Sequence, residues 1–314
     1  LDNLFSLMPI SSDTNPIRPT LDELIRLSQP AAGLNLARPT VRALQSGQYL
    51  SAFKGRGMEF DETRPYAQGD DVRNLDWRVM ARTGRAHTKL FREERERPVF
   101  LTVDYRNPMF FATRGMYKSA LAARLAALIA WSARRHGDRI GGQIFSEAGR
   151  LEFRPEHGHK AVLRLLKALV DSAQPAAETG QAETALENAL ISLPRHARPG
   201  SLAFVFSDFR HLNAAGEAAL GRLARHRDGV LVMLFDSLEQ HLPMGRHRYS
   251  HAGRDVVVNA DARTADEYRR RFMERYHRVR NLANRHGLRF VFCNTIEDPL
   301  LVLQRSGRIH LPHL

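Results

Sequence analysis

Residues 99–103, Val-Phe-Leu-Thr-Val, form a short unbroken run of apolar and β-branched positions that ends abruptly in Asp104. A run of this kind predicts a strand buried on both faces, as in a parallel sheet. After a short loop, residues 116–135 place Leu121, Leu125, Leu128 and Ile129 at helical spacing among alanines, and Gly137 follows as a stop. The alternation then continues to the end of the chain. Residues 139–145 read as a strand, with 150–154 as its edge hairpin partner, and 160–170 as an amphipathic helix. A helix over 184–193 precedes a buried strand over 201–206 that runs into Ser207-Asp208-Phe209. A helix over 213–226 precedes a strand over 229–235 ending in Asp236. A hairpin over 248–258 turns at Gly253, a long basic helix covers 264–286, and a last strand covers 288–293. Strands alternating with helices predict an α/β fold built on a doubly wound, mainly parallel sheet. A carboxylate at the C-terminal end of a central strand is where such sheets place their ligands, which draws attention to Asp104.

Upstream of residue 98 the texture differs. Residues 1–19 mix Ser, Asp, Asn and Pro and read as a poorly ordered lead-in. Thr20 with Glu23 three positions on makes a capping box for a short helix carrying Leu21, Leu24, Ile25 and Leu27, stopped by Pro30 and Gly33. From Pro39 onward come short segments, turn residues and dense charge. The expected organisation is therefore a lead-in and short helix over 1–38, a small β-rich module over 39–97 and the α/β domain over 98–314.

Hydropathy adds no membrane span: the longest candidate, residues 120–131, is 12 residues long and contains Arg124. Residues 1–20 lack the basic start and apolar core of a secretory leader. The single Cys293 sits in an apolar run, which predicts an inert packing thiol and suits a reducing cytoplasm. The formal charge of +13 favours anionic partners in principle. However, only 5 of the 47 basic residues are Lys, and the arginines spread along the chain beside acids such as Glu267 and Glu274. Clusters such as Arg222, Arg225 and Arg227, or Arg269 to Arg271, therefore read first as solvated helix faces, and a nucleic-acid footprint is the lesser reading.

The most distinctive stretch lies inside the small module. It runs Gly55-Arg-Gly57-Met-Glu59-Phe60, then Arg64-Pro-Tyr66, then Gly69-Asp70-Asp71-Val-Arg73-Asn-Leu-Asp76-Trp77, then Ala81-Arg82. Phe60, Tyr66, Leu75 and Trp77 are the expected apolar anchors of the module. Six acids interleave with five arginines, which predicts carboxylate–guanidinium pairing. A metal cluster on Asp70, Asp71 and Asp76 is the alternative, but the spacing does not fit a calcium loop. The lone Gly-x-Gly at 55–57 lacks the strand–turn–helix context of a nucleotide loop.

This block, followed some twenty residues later by a strand ending in Asp, resembles a bacterial family called domain of unknown function fifty-eight, over about residues 40–240. The resemblance implies a von Willebrand factor A-like domain, and a role as partner of a MoxR-type AAA+ ATPase acting on a client protein. In von Willebrand A domains a divalent cation sits at the top of the sheet, on an Asp-x-Ser-x-Ser loop, a Thr and a later Asp. Carried over residue by residue, Asp104 matches the first Asp, Thr184 the Thr and Asp208 the last Asp, but Arg106 and Pro108 stand where the serines would be. Arginine has no acceptor and proline no side-chain oxygen, so the implied metal-ion-dependent adhesion site is degenerate and no metal or other cofactor is expected. Two readings of Arg106 stay open: a guanidinium between Asp104 and Asp208 in place of the metal, or a side chain turned to solvent over a decayed site.

Enzyme signatures are missing from the sequence. There is no Gly-x-Ser-x-Gly, no His-Glu-x-x-His and no Cys-x-x-Cys. His157 with His159, and His247 with His251, have no evident third ligand. The expectation is a non-catalytic cytoplasmic adaptor, peripheral to the inner membrane at most, that binds partners through Asp104, Arg106, Thr184 and Asp208. A nucleic-acid- or anionic-membrane-associated basic protein is the alternative.

Overall fold

The computed structural model describes residues 15–34, 58–67, 72–93, 98–176, 182–197, 199–225, 227–251 and 254–307. The chain folds as two compact units, one of Leu1–Arg38 with Arg97–Leu314 and one of Pro39–Glu96.

In the smaller unit, β1 (Met58–Pro65) pairs antiparallel with β2 (His87–Glu93), and the register shifts between Phe60 and Glu62. Between them lies α2 (Trp77–Thr83), a helix that the sequence pattern did not predict. Its signals are ordinary ones: Asp76 accepts from the N–H groups of Arg78 (3.1 Å) and Val79 (3.2 Å), and Gly84 closes the helix at φ 67°. Asp76 thus serves as a helix cap. Two of the expected apolar anchors are corrected here. Trp77 is 62% exposed, because the Asp76 cap starts the helix with Trp77 on its outer side, and Tyr66, just after β1, is exposed as well. Arg64, Arg73 and Arg82 are described in this unit, and Glu59 and Phe60 lie in β1. Gly55, Gly57, Gly69, Asp70 and Asp71 lie outside the described residues.

The larger unit is a mixed α/β domain with a mostly parallel six-stranded sheet. Its strands are β3 (Val99–Asp104), β4 (Ile140–Ser146), β5 (Gly149–Glu156), β6 (Leu202–Ser207), β7 (Asp228–Phe235) and β10 (Arg289–Asn294). Their spatial order is β10-β7-β6-β3-β4-β5, and only β5 runs antiparallel to its neighbour. The order reverses at β3, so the topological switch point lies between β3 and β6. A separate hairpin pairs β8 (Gly245–His251) with β9 (Arg254–Ala260).

The apolar run of β3 is divided by its period of two between both faces of the sheet. Val99, Leu101 and Val103 pack with Leu121, Leu125 and Leu128 of α3 (Lys118–Arg135) and Leu165 of α4 (Gly158–Asp171). Phe100 faces the other way, toward Leu186 and Leu190 of α5 (Ala182–His196), Leu220 of α6 (Ala214–Ala224) and Phe272 of α8 (Ala262–His286). Two short helices, α7 (Ser237–Gln240) and α9 (Pro299–Gly307), complete the unit. No helix among the described residues is long and apolar enough to cross a membrane.

The short N-terminal helix α1 (Leu21–Arg26) has the capping box read from Thr20 and Glu23. It is part of this core: Leu24 is fully buried, its carbonyl accepts from Trp131 Nε1 at 2.9 Å, and Glu23 pairs with the buried Arg124 at 2.5 Å. Gly142 of β4 fits where no other residue does, because a Cβ there would stand 2.4 Å from the Leu101 carbonyl oxygen. Replacing it with alanine forces apart two central strands whose backbones cannot give locally. We expect Gly142→Ala to lower the unfolding free energy by about 2 kcal/mol or more in urea denaturation; an unchanged midpoint would contradict this packing.

Candidate functional site: a buried ion cluster at the switch point

Strands β3 and β6 are hydrogen-bonded neighbours, Val103 opposite Phe206, so their C-terminal ends deliver Asp104 and Asp208 side by side, both fully buried. Tyr105 anchors the loop after β3: it is fully buried, its hydroxyl donates to the Leu169 carbonyl at 3.1 Å, and burial pushes its pKa up. The chain then turns through a 3-10 segment, Asn107–Met109, that contains Pro108. The Asn107 N–H donates to both Glu147 oxygens, at 2.9 and 3.1 Å.

Arg106 points inward and is fully buried. Its Nη2 lies 2.6 Å from Asp104 Oδ2 and 3.6 Å from Asp208 Oδ1, so the guanidinium lies between the two carboxylates. Its Nε also donates to Asp104, and Nη1 donates to the Arg210 carbonyl at 3.0 Å. Burial alone would lower the Arg106 pKa, but Asp104, Asp208 and Glu147 together raise it. Asp104 Oδ2 also accepts from Ser207 Oγ at 2.6 Å.

A second cation was not read from the sequence. Lys118, the first residue of α3, is buried and donates to Asp208 Oδ2 at 3.0 Å and to Glu239 Oε1. Glu239 belongs to α7, which is capped by Asp236; the latter accepts from Leu238 N–H, Thr113 N–H and Oγ1, and Thr295 Oγ1. These hydrogen bonds hold the Asp236 carboxyl below its usual range against burial. The other Glu239 oxygen takes Arg210 Nη2 at 3.2 Å and Arg275 Nη2, from α8, at 3.0 Å. Burial would raise the Asp208 pKa, but Lys118, Arg106, Arg210 and Arg275 outweigh it and hold the carboxyl far below the ordinary range. Four carboxylates (Asp104, Asp208, Glu239, Glu147) thus face four cations (Arg106, Lys118, Arg210, Arg275).

The residues present do not fit the divalent cation of an adhesion site. The Asp104 and Asp208 oxygens already accept from guanidinium, ammonium and hydroxyl donors, and neither an ammonium nor a guanidinium offers a lone pair. No three His, Cys, Asp or Glu side chains among the described residues stand where they could hold a metal ion. Thr184 is exposed on α5 and lines, with Ser146, Glu147, Arg150 and Arg195, a cavity of about 700 Å³ that meets the cluster at Glu147. Cys293 is buried and its thiol pKa is pushed up, chiefly by burial, which makes it unreactive.

Lys118, Glu239, Arg210 and Arg275 escaped the sequence reading because charges at helix starts and in basic helices look solvated. The usable signals were a lysine heading an Ala-Leu-rich helix and a glutamate three residues after the strand-terminal Asp236. Removing one member of a buried ion set leaves its partners uncompensated. We expect Lys118→Met to cost about 3–5 kcal/mol in urea unfolding; a loss below about 1 kcal/mol, the range of exposed pairs, would contradict the cluster. A group whose folded pKa is depressed stabilises above its unfolded value, near 4, and loses that contribution as pH falls toward the folded value. Wild-type stability should therefore fall steeply below about pH 4, and the fall should be shallower in Lys118→Met; parallel profiles would contradict the assignment.

The chain matches, over residues 62–300, the family model described as Protein of unknown function DUF58. Uncharacterized proteins of Mycobacterium bovis and Mycobacterium tuberculosis are 31% identical to it over 184 residues, which is 57% of this chain and 57% of theirs. The chain thus matches little more than half the length of these curated relatives. Among solved structures, an aerotolerance-related membrane protein from Bacteroides fragilis carrying multiple mutations to serines aligns at TM-score 0.42 and 13% identity, covering 67% of this chain and 98% of that one. With a family model spanning most of its length and running through the switch-point cluster, the chain belongs to the DUF58 family.

Proposed function

We propose that the protein is a non-catalytic adaptor that binds other proteins at the C-terminal ends of its sheet strands, and that its partner is a MoxR-type AAA+ ATPase acting on a client. The observation that carries the reading is the self-neutralised cluster itself. Buried charges at a switch point are costly unless paired, and here Asp104, Asp208 and Glu239 all find their cations within the chain, which makes a rigid, preformed base for a recognition surface. The ATPase is suggested by the Gly55 to Arg82 block, whose pattern resembles that of ATPase-associated relatives. The working location under this reading is the cytoplasm, peripheral to the inner membrane at most.

The basic alternative draws less support from the surface of α8. Arg270 and Arg271 pair with Glu267 and Glu274, and Arg278 pairs with Glu217, so much of that charge is spent on neighbouring acids. The adaptor reading is tested by affinity capture from native lysate, with the tagged protein as bait and mass spectrometry as readout. An AAA+ ATPase enriched over a tag-only control is the expected result, and its absence from the captured set sinks the reading.

A further inference from the structure

The buried cluster sorts its charges by depth. Asp104 and Asp208 are wholly buried and Glu239 is 2% exposed, whereas the two members that reach the surface are both guanidiniums, Arg210 at 35% and Arg275 at 18% side-chain exposure. An assembly whose charges balance only as a whole therefore keeps its acids inside and turns its cationic members toward a partner.

Two further observations converge on Arg210. Arg210 Nε and Arg275 Nε are buried and find no hydrogen-bond acceptor among the described residues; Arg210 Nε lies 3.3 Å from Asp208 Oδ2 without hydrogen-bond geometry. Burial lowers the Arg275 pKa and the nearby Arg210 charge adds to that against Asp208 and Glu239, so an added anion would favour the charged Arg275, whereas Glu239 and Asp208 already hold the Arg210 pKa above its ordinary value. The backbone is also committed. Phe209 (φ 52°) and His211 (φ 62°) flank Arg210 in the left-handed region that non-glycine residues rarely adopt. The conformation is held by Phe209 N–H on Ser207 Oγ (2.9 Å), Arg210 N–H on Asp208 Oδ1 (3.0 Å) and Arg106 Nη1 on the Arg210 carbonyl (3.0 Å). Such costly backbone persists where the surroundings over-determine it, and it concentrates at functional sites.

We propose that Arg210, seconded by Arg275 and oriented by Glu239, receives a carboxylate from an acidic side chain of the protein partner. The planar guanidinium accepts a carboxylate in two parallel hydrogen bonds, an anchor of fixed orientation that the buried cluster makes rigid. Arg106 and Lys118 act beneath it as positioning residues. This inference rests on the adaptor reading and deepens it by naming the chemistry of the contact.

The test uses the full chain and a fluorescein-labelled hexaglutamate peptide as probe, followed by anisotropy at physiological salt. Arg210→Gln should weaken binding by about tenfold or more, the size of a lost charge-assisted pair. Arg210→Lys, which keeps the charge that Glu239 needs and preserves the fold, should weaken it by about fivefold, because the fork geometry is lost. Arg269→Gln on the exposed face of α8 should change it by less than about twofold. Equal losses in Arg210→Gln and Arg269→Gln would mean general attraction to a basic chain and overturn the proposal. Wild-type affinity in Arg210→Lys would overturn it as well, as would inorganic phosphate competing as well as unlabelled hexaglutamate. Lysate capture separates the two claims. Recovery of the ATPase by Arg210→Gln as fully as by the wild type overturns the Arg210 assignment and leaves the adaptor intact. Arg210-dependent peptide binding with no ATPase captured supports the assignment and removes the adaptor reading.

Discussion

Two carboxylates held side by side at the ends of neighbouring parallel strands, out of reach of water, constrain the rest of the larger unit. Asp104 and Asp208 cannot both stay ionised in that position without cations within a few ångströms. The fold supplies them from four directions: Arg106 from the loop after β3, Lys118 from the start of α3, Arg210 from the loop after β6, and Arg275 from α8 by way of Glu239. The ion cluster thereby ties the two faces of the sheet together at one end. The helix starts and loops that meet there are fixed by charge as much as by apolar packing.

The same arrangement explains how a sheet of this order manages without the oxygen ligands expected at its switch point. An Arg at 106 and a Lys at 118 occupy the positions facing the carboxylates, so the acids are neutralised by side chains carried on the chain itself. Such a site is present as soon as the domain folds and does not wait for an ion. What distinguishes it chemically is its layering, with acids beneath and guanidiniums above. A metal site turns a cation toward a partner's acid; here Arg210 holds the outward position, on a backbone bent into an uncommon conformation to keep it there.

Much of this architecture was legible in the sequence, because apolar periodicity reports burial directly. The five-residue run before Asp104, the Ala-Leu helix after it and the strand before Asp208 all appear where the pattern put them. The Thr20–Glu23 capping box was legible for a local reason: the cap and its partner are three residues apart. Spacing left two orientations open for Arg106, and burial decides for the inward one. What stayed hidden depends on distant residues. Lys118 meets Asp208 across 90 positions, and Glu239 meets Lys118 across 121, so nothing in either local sequence marks the pair. Thr184 matched by position in the fold pattern alone, and α5 carries it to an exposed wall. Trp77 and Tyr66 looked like core residues by size, but a helix cap at Asp76 turns Trp77 outward.

The central claim is that side-chain cations, in place of a bound divalent ion, neutralise Asp104 and Asp208. Isothermal titration of the metal-stripped protein with magnesium and with manganese, beside Asp104→Asn as control, tests it most directly. No heat should distinguish the wild type from Asp104→Asn. Micromolar binding of either ion that disappears with Asp104 would contradict it.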